Sequence, residues 1–303
     1  MRRPPFLKPG DKIGIVAPAR KVSHEELHAG LEILRGWGFN PVEGKHLYGE
    51  KNQFSGTDDE RAADFQEMMD DPDIKAIIAA RGGYGCMRII DALNFEKLVA
   101  NPKWIIGFSD MTVFHSHLQQ RHQLQTIHSI MLFNMMPERF DMQSVESLGK
   151  ALTGIRLAYE YPSGEFSSFQ RSGNGRGMLV GGNLSILIAL SNSASDIDTD
   201  GKILFIEDLD EYLYHIDRMM LQLKRSGKLS RLAALIVGGM TDMKDNETKF
   251  GKSAVEIIVD AVKEYDYPVC FGFPAGHQRD NRALIFGAVA NLTVGTTVSL
   301  NYI

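Results

Sequence analysis

Three side chains of this 303-residue chain have the types and surroundings that covalent chemistry needs: Ser109, Glu207 and His277. Ser109 follows the apolar run Trp104-Ile105-Ile106 in the segment Gly107-Phe108-Ser109-Asp110. A strand that enters a helix through a sharp turn lifts one side chain above the sheet and aims the next backbone N–H groups at one spot, where they can hold an oxyanion. The G-x-S-x-G form of such an elbow is not met, because Met111 and Thr112 follow Asp110 where glycine is expected. The alternative is that Ser109 or Asp110 caps a helix running through Val113 to Leu118. A serine nucleophile also needs a base and a group to orient the base. Glu207 ends the apolar run Ile203 to Ile206, and His277 lies in the loop after a strand near Val269, giving the chain order Ser, Glu, His. Strand ends in an open α/β sheet converge on one edge, so residues distant in sequence can meet there. Taken singly, Glu207 also reads as a solvated carboxylate or helix cap in the acidic run Glu207-Asp208-Leu209-Asp210-Glu211, and His277 as a loop histidine bonded to backbone.

A second candidate is the loop Arg81-Gly82-Gly83-Tyr84-Gly85, which leaves a strand and enters a helix. Its glycines let backbone approach an anion closely. It is neither a dinucleotide fingerprint nor a P-loop. An oxyanion or a substrate carboxylate fits as well as phosphate, with Arg81 as a bidentate partner. Metal binding finds little support. His115 and His117 are two apart on a helix and point in different directions, and His24 and His28, though spaced i, i+4, lack a third ligand nearby. His128 follows the short run Leu124 to Ile127, from which it could approach the same sheet edge as Ser109.

The elements that must position these groups alternate. Ile13 to Ala17 reads as a strand, and Ser23 with Glu26 forms a capping box for a helix whose Leu27, Leu31 and Leu34 share one face. Thr57 with Glu60 opens another, and Ile74 to Ala80 is a buried strand feeding the glycine loop. A helical pattern runs from Glu138 to Gly154, after which 155–177 is polar, rich in Ser and Gly and without period. Beyond it come a helix from Leu184, the strand ending at Ile206, a helix at Asp217 to Lys224, a strand at Ala233 to Val237, a helix at Ala254 to Lys263 and the strand near Val269. The β-branched, turn-punctuated stretch from Ala283 to Ile303 reads as antiparallel strands. The expected class is α/β: residues 1–154 form a domain with a mostly parallel sheet, 155–177 a linker, and 178–303 an α/β domain with antiparallel strands.

Composition narrows the field. With 33 basic against 38 acidic residues, a net charge of −5 and no long run of like charges, neither nucleic acid nor an anionic membrane is an expected partner. A chain longer than about 250 residues tends to divide its core, which favours two domains. Cys86 and Cys270 cannot build a disulfide framework or a zinc knuckle, so reduced thiols are expected. The basic opening is followed by Lys8, Asp11 and Lys12 where a secretory signal needs an apolar core, and no apolar run nears the roughly 20 residues that span a bilayer. A cytoplasmic location is expected.

Taken together, Gly107-Phe108-Ser109-Asp110, Leu204-Phe205-Ile206-Glu207-Asp208 and Gly276-His277 resemble the LD-carboxypeptidase family of serine peptidases. The Arg81 to Gly85 loop, Gly181-Gly182-Asn183-Leu184-Ser185 and the opening Lys8-Pro9-Gly10-Asp11 extend the resemblance, in order, over almost the whole chain. It implies a Rossmann-like N-terminal nucleophile domain and a C-terminal α/β domain that supplies Glu and His. Ser109 would be the nucleophile, His277 the general base and acid, Glu207 the orienting carboxylate, and the N–H groups of Gly83 and Asp110 the oxyanion hole. Arg81, Gly82 and Asn183 are candidates for binding substrate. The implied reaction cleaves an amide between an L-centre and a terminal D-residue, as in D-alanine release from the murein tetrapeptide during cell-wall recycling. No metal or organic cofactor is implied, and a homodimer is. A sister branch hydrolyses peptidyl or acyl-sulfamoyl adenylates; the short segment between Glu207 and the helix near Tyr212 favours the cell-wall branch. A non-catalytic binder of anionic ligands is the reading from another class. One departure is His128-Ser129-Ile130, where many relatives have His-Gly-Pro, and it bears on local backbone and substrate preference.

Overall fold

The computed structural model describes residues 1–136, 138–139 and 141–303. The first half of the chain forms β1 (Lys12–Val16), α1 (His24–Gly36), β2 (Asn40–Glu43), α2 (Asp58–Asp70), β3 (Ile74–Ala79), α3 (Cys86–Ile89), α4 (Glu96–Ala100), β4 (Trp104–Gly107), α5 (Thr112–His122), β5 (Thr126–His128) and α6 (Met142–Thr153). The second forms β6 (Ala158–Pro162), β7 (Gly173–Asn183), α7 (Leu184–Ala189), β8 (Ile203–Leu209), α8 (Leu213–Arg225), β9 (Ala234–Thr241), α9 (Ala254–Val262), β10 (Val269–Cys270), β11 (Leu284–Phe286), β12 (Val289–Val294) and β13 (Thr297–Tyr302). The capping boxes expected at Ser23 and Thr57 both close reciprocally. In the helical stretch expected from Glu138, Phe140 lies outside the described residues and α6 starts from an Asp141 cap.

The first sheet has the order β11-β5-β4-β3-β1-β2. Neighbours among β1 to β5 are parallel, and β4 is buried throughout, as helices on both faces of a parallel sheet require. Its edge strand β11 comes from the far end of the chain and runs antiparallel to β5, pairing Leu284 with His128. The second sheet has the order β10-β9-β8-β7-β12-β13-β6. Strands β10 to β7 are parallel and the rest antiparallel, so the sheet is mixed. The long strand β7 serves both parts, pairing with β12 through Gly173 to Met178 and with β8 through Leu179 to Asn183. In β12 buried and exposed residues alternate, the pattern of a strand with one face on the core.

The stretch 155–177 is not an irregular linker, for it contains β6 and the start of β7. Strand β6 is an edge strand, so its polar residues face out while the buried Tyr159 donates to the Ala283 carbonyl at 2.5 Å. The glycines of β7 read as loop but let the strand lie against Ala233 and Ala234, where a Cβ on Gly175 would collide. One apolar core spans both sheets: Ile78, Ile106 and Ile127 from the first join Phe205, Ile236 and Phe273 from the second. The sheets are thereby fixed with the strand ends that carry Ser109, Glu207 and the His277 loop around one cleft.

Candidate active site

Ser109 opens a single 3-10 turn, Ser109–Met111, between β4 and α5, with a backbone φ of 63°. A non-glycine residue in the left-handed region costs about 1–3 kcal/mol and persists only where its surroundings impose it. Neither Ser109 nor Asp110 caps α5, so the capping alternative does not apply. Asp110 is buried instead, and its Oδ2 accepts from the Cys86 N–H at 2.8 Å, at the start of α3. That bond ties the serine turn to the glycine loop. Burial pushes the Asp110 carboxyl above its ordinary pKa, against the pull of these N–H contacts.

The imidazole of His277 faces Ser109 on one side and Glu207 on the other. Its Nε2 lies 3.1 Å from Ser109 Oγ, and its Nδ1 lies 2.6 Å from Glu207 Oε2. The same carboxylate oxygen accepts the His277 backbone N–H at 3.1 Å. A carboxylate accepts only, so Nδ1 carries the proton and Nε2 is left to accept from the serine hydroxyl. Burial disfavours the charged ring, but the charge and hydrogen bond of Glu207, with Asp208 behind it, outweigh burial and raise the His277 pKa above its usual value.

Glu207 is fully buried, which removes the reading as a solvated carboxylate. It lies inside β8 and not beyond it, at a bulge where the pairing with β9 jumps from Ile206↔Val237 to Asp208↔Met240. The His277 loop enters alongside: Gly239 N donates to the Ala275 carbonyl at 3.0 Å. Gly276, at φ +100°, has no room for a side chain, since a Cβ would lie 2.7 Å from Glu207 Cβ. Further anchors hold this loop. Asn281 Oδ1 accepts from Gly276 N at 2.9 Å, and Asn281 N donates to Ser144 Oγ of α6 at 2.7 Å. Thr241 donates through Oγ1 to the His277 carbonyl at 2.6 Å.

Asp208, also buried, faces the other way along β8. It accepts from Asn183 Nδ2, Ser185 N and Ser185 Oγ at 2.9, 2.9 and 2.7 Å. Asn183 Oδ1 meanwhile caps α7 by accepting from Ile186 N. Asn183 borders the cleft, yet its amide is engaged by Asp208 and the helix cap. The outer acids of the run carry partners of their own: Asp210 pairs with Lys244 at 2.7 Å and Glu211 with His215 at 2.8 Å.

Ser109 and His277 open on a cleft of about 540 Å³. Arg81, Gly82 and Gly83 line one wall, with the Arg81 guanidinium 4.0 Å above the Phe133 ring and 3.8 Å from Glu26. Gly82 backs onto the serine, where an added Cβ would lie 3.4 Å from Oγ. Among the described residues no hydrogen bond engages the Gly83 N–H. The arrangement can therefore move a proton from a serine hydroxyl to an imidazole held in the right tautomer, beside a Gly83 N–H that no hydrogen bond engages among the described residues.

His128 does not reach this cleft. It is buried among Phe108, Phe205 and Phe286, and burial lowers its pKa well below the ordinary value. Pairing of β5 with β11, which no local pattern announces, turns it inward. His115 and His117 point apart as expected, the first to Thr126 and the Gly107 carbonyl, the second to Ser195. Among the described residues no group of three or more His, Cys, Asp or Glu side chains could hold a metal ion. Asn281, Ser144, Thr241 and the cleft-lining Arg20 escaped the sequence reading. Asn281 alone had a signal, four residues after His277 in the same loop.

A serine, a histidine and a buried glutamate on a two-sheet α/β frame fit the serine peptidase class. The chain belongs to the LD-carboxypeptidase family: residues 13–129 match its N-terminal domain and residues 176–292 its C-terminal domain. The probable murein peptide carboxypeptidase of Bacillus subtilis is 34% identical over 298 residues, 95% of this chain and 90% of that one. The microcin C7 self-immunity protein of Escherichia coli is 29% identical over 92% of this chain and 89% of its own. The crystal structure of muramoyltetrapeptide carboxypeptidase from Oxalobacter formigenes superposes with a TM-score of 0.85 at 28% identity, covering 96% of this chain and 98% of that chain.

Proposed function

We propose that this enzyme releases the terminal D-residue from a murein-derived peptide, D-alanine from the tetrapeptide, through an acyl-enzyme on Ser109. The supporting observation is the unbroken contact from Glu207 Oε2 to His277 Nδ1 at 2.6 Å and from Nε2 to Ser109 Oγ at 3.1 Å. His277 takes the hydroxyl proton as Oγ adds to the carbonyl carbon of the L-centre. The charge that develops on the carbonyl oxygen meets the N–H groups of Gly83 and Asp110. His277 then gives its proton to the departing amine, and the D-amino acid leaves with a free amino group. Water, deprotonated by the same ring, attacks the ester, and its collapse returns the serine. Glu207 holds the ring and stabilises the imidazolium throughout.

The murein assignment draws on the names of the Bacillus and Oxalobacter proteins and on the short turn between β8 and α8. We place the enzyme in the cytoplasm as a homodimer, in keeping with its two buried free cysteines and the family resemblance. No helix among the described residues is long and apolar enough to cross a membrane. The division we adopt is residues 1–154 for the serine-bearing part and 178–303 for the Glu- and His-bearing part, with the intervening strands belonging to the second sheet.

The test is release of free D-alanine from purified murein tetrapeptide, with a chelator present and Ser109→Ala as control. Release by the unaltered enzyme alone is the expected result. No release by either protein would refute the proposal and direct the assay to peptidyl adenylates.

A further inference from the structure

A carboxypeptidase must sense a free chain end. The carboxylate of the terminal residue is three bonds from the scissile carbonyl carbon, so a cation that reads it must stand within about 4 Å of that reach, next to the oxyanion donors. Arg20, in the loop after β1, lines the same cleft as Ser109, with its side chain against Gly83. Its backbone N–H donates to the Gly82 carbonyl at 3.4 Å, and its side chain lies across Gly83. A Cβ at Gly83 would be 2.6 Å from Arg20 Cδ and 2.9 Å from Nε, so only glycine, here at φ +111°, allows the guanidinium to rest over this loop.

The surrounding charges leave Arg20 available. Among the described residues no carboxylate lies within 4.0 Å of it. Arg81 on the same wall is held by Phe133 and Glu26. Of the acids lining the cleft, Asp110 accepts from the Cys86 N–H, Asp208 from Asn183 and Ser185, Asp210 pairs with Lys244 and Glu211 contacts His215. Arg20 is therefore the cation lining the cleft that, among the described residues, no side-chain carboxylate engages. We propose that Arg20 binds the free C-terminal carboxylate of the substrate and thereby restricts the enzyme to the last residue of a chain. The assignment rests on the carboxypeptidase reading above and names the residue that makes it exo-acting.

The test is a cycle between the protein and the substrate. Arg20→Gln keeps most of the stem over Gly83 and removes the charge, and a tetrapeptide with an amidated C-terminus removes the opposite charge. On the free acid, R20Q is expected to lose about 10- to 100-fold in kcat/KM, the range of one charge-assisted hydrogen bond. Amidation should cost the unaltered enzyme a similar factor. Combined, the two changes should cost far less than the product of the separate losses, and Arg20→Lys should recover part of the discrimination. Losses that simply multiply, or an R20Q enzyme that still prefers the acid as strongly as the parent, would overturn the role of Arg20 and leave the carboxypeptidase reading intact. An unaltered enzyme that cleaves neither peptide would overturn both.

Discussion

The serine and the histidine of this site are held by different means. Ser109 sits in a strained turn, at a φ of 63° at the mouth of a fully buried strand, and its neighbour Asp110 ties that turn to the start of α3. His277 is fixed from outside, by Glu207 on β8, Thr241 on β9, and Asn281 moored to Ser144 on α6. One half of the machinery stores strain locally, and the other is a loop whose position is the sum of contacts from three distant elements. The serine half should therefore tolerate distant change and suffer from local change, and the histidine half the reverse.

The largest effect falls on the chemistry itself. Ser109→Ala removes the proposed nucleophile and should lower kcat by at least about 10⁴-fold, while leaving the residual acceleration that binding and the proposed oxyanion donors supply. Far-UV circular dichroism should be unchanged, because alanine occupies the same space. Turnover above one tenth of the parent rate would contradict the role of Ser109.

Glu207→Gln comes next. A neutral amide cannot hold the ring in the same tautomer or stabilise its charge, so kcat should fall by about 10³–10⁴-fold. The pH profile sharpens this. His277 must be neutral to take the serine proton, so activity is lost as pH falls through its pKa. That pKa is raised, with Glu207 supplying most of what overcomes burial, and the acid limb of kcat/KM should lie above the 6.5 of an ordinary histidine. The substitution removes the carboxylate charge, and the limb of E207Q should move to lower pH. A limb that stays in place would mean another group sets it.

The contrast also explains what could be read from sequence. Ser109, the capping boxes and the parallel strands depend on neighbours within a few positions, and their signals are local. The Ser, Glu, His order is visible because each residue follows an apolar run that reads as a strand, and parallel sheets bring such segments together at one edge. Asn281 and Ser144 are not, since 137 positions separate them and neither has a distinctive neighbourhood. The same holds for β11: three apolar residues crossing to the first sheet look like any short strand of the second. Strands β6 and β7 are hidden by composition, because the Pro162-Ser163-Gly164 end of a short edge strand and the glycines of a closely packed one mimic the punctuation of a loop. His128 misled for the opposite reason, a local position at a strand end overridden by a partner strand from far away.

Breaking the outer support of His277 should cost less than breaking the proposed triad. Asn281→Ala leaves the buried Gly276 N–H without an acceptor, and such an orphan costs about 1–3 kcal/mol. Stability measured by urea unfolding should fall within that range. The loop that carries His277 would loosen against Glu207, so kcat should fall about 10-fold with KM little changed, and the acid limb should drift downward. A variant that loses stability alone, with kcat and pH limb of the parent, would show that Thr241 and Glu207 suffice to place the ring.

The smallest effect tests the serine half. Ser109→Ala and Ser109→Gly lose the same hydroxyl and the same contact with His277, so their difference isolates the backbone. Alanine at φ 63° carries the left-handed cost of about 1–2 kcal/mol, which glycine avoids. Glycine gives back about 0.4–1 kcal/mol through the greater freedom of its unfolded chain. Ser109→Gly should therefore be more stable than Ser109→Ala by about 1 kcal/mol, a few degrees in Tm at most for a chain of this size. If the alanine variant is equally stable or more so, the turn stores no strain at this residue, and the contrast with the histidine half fails.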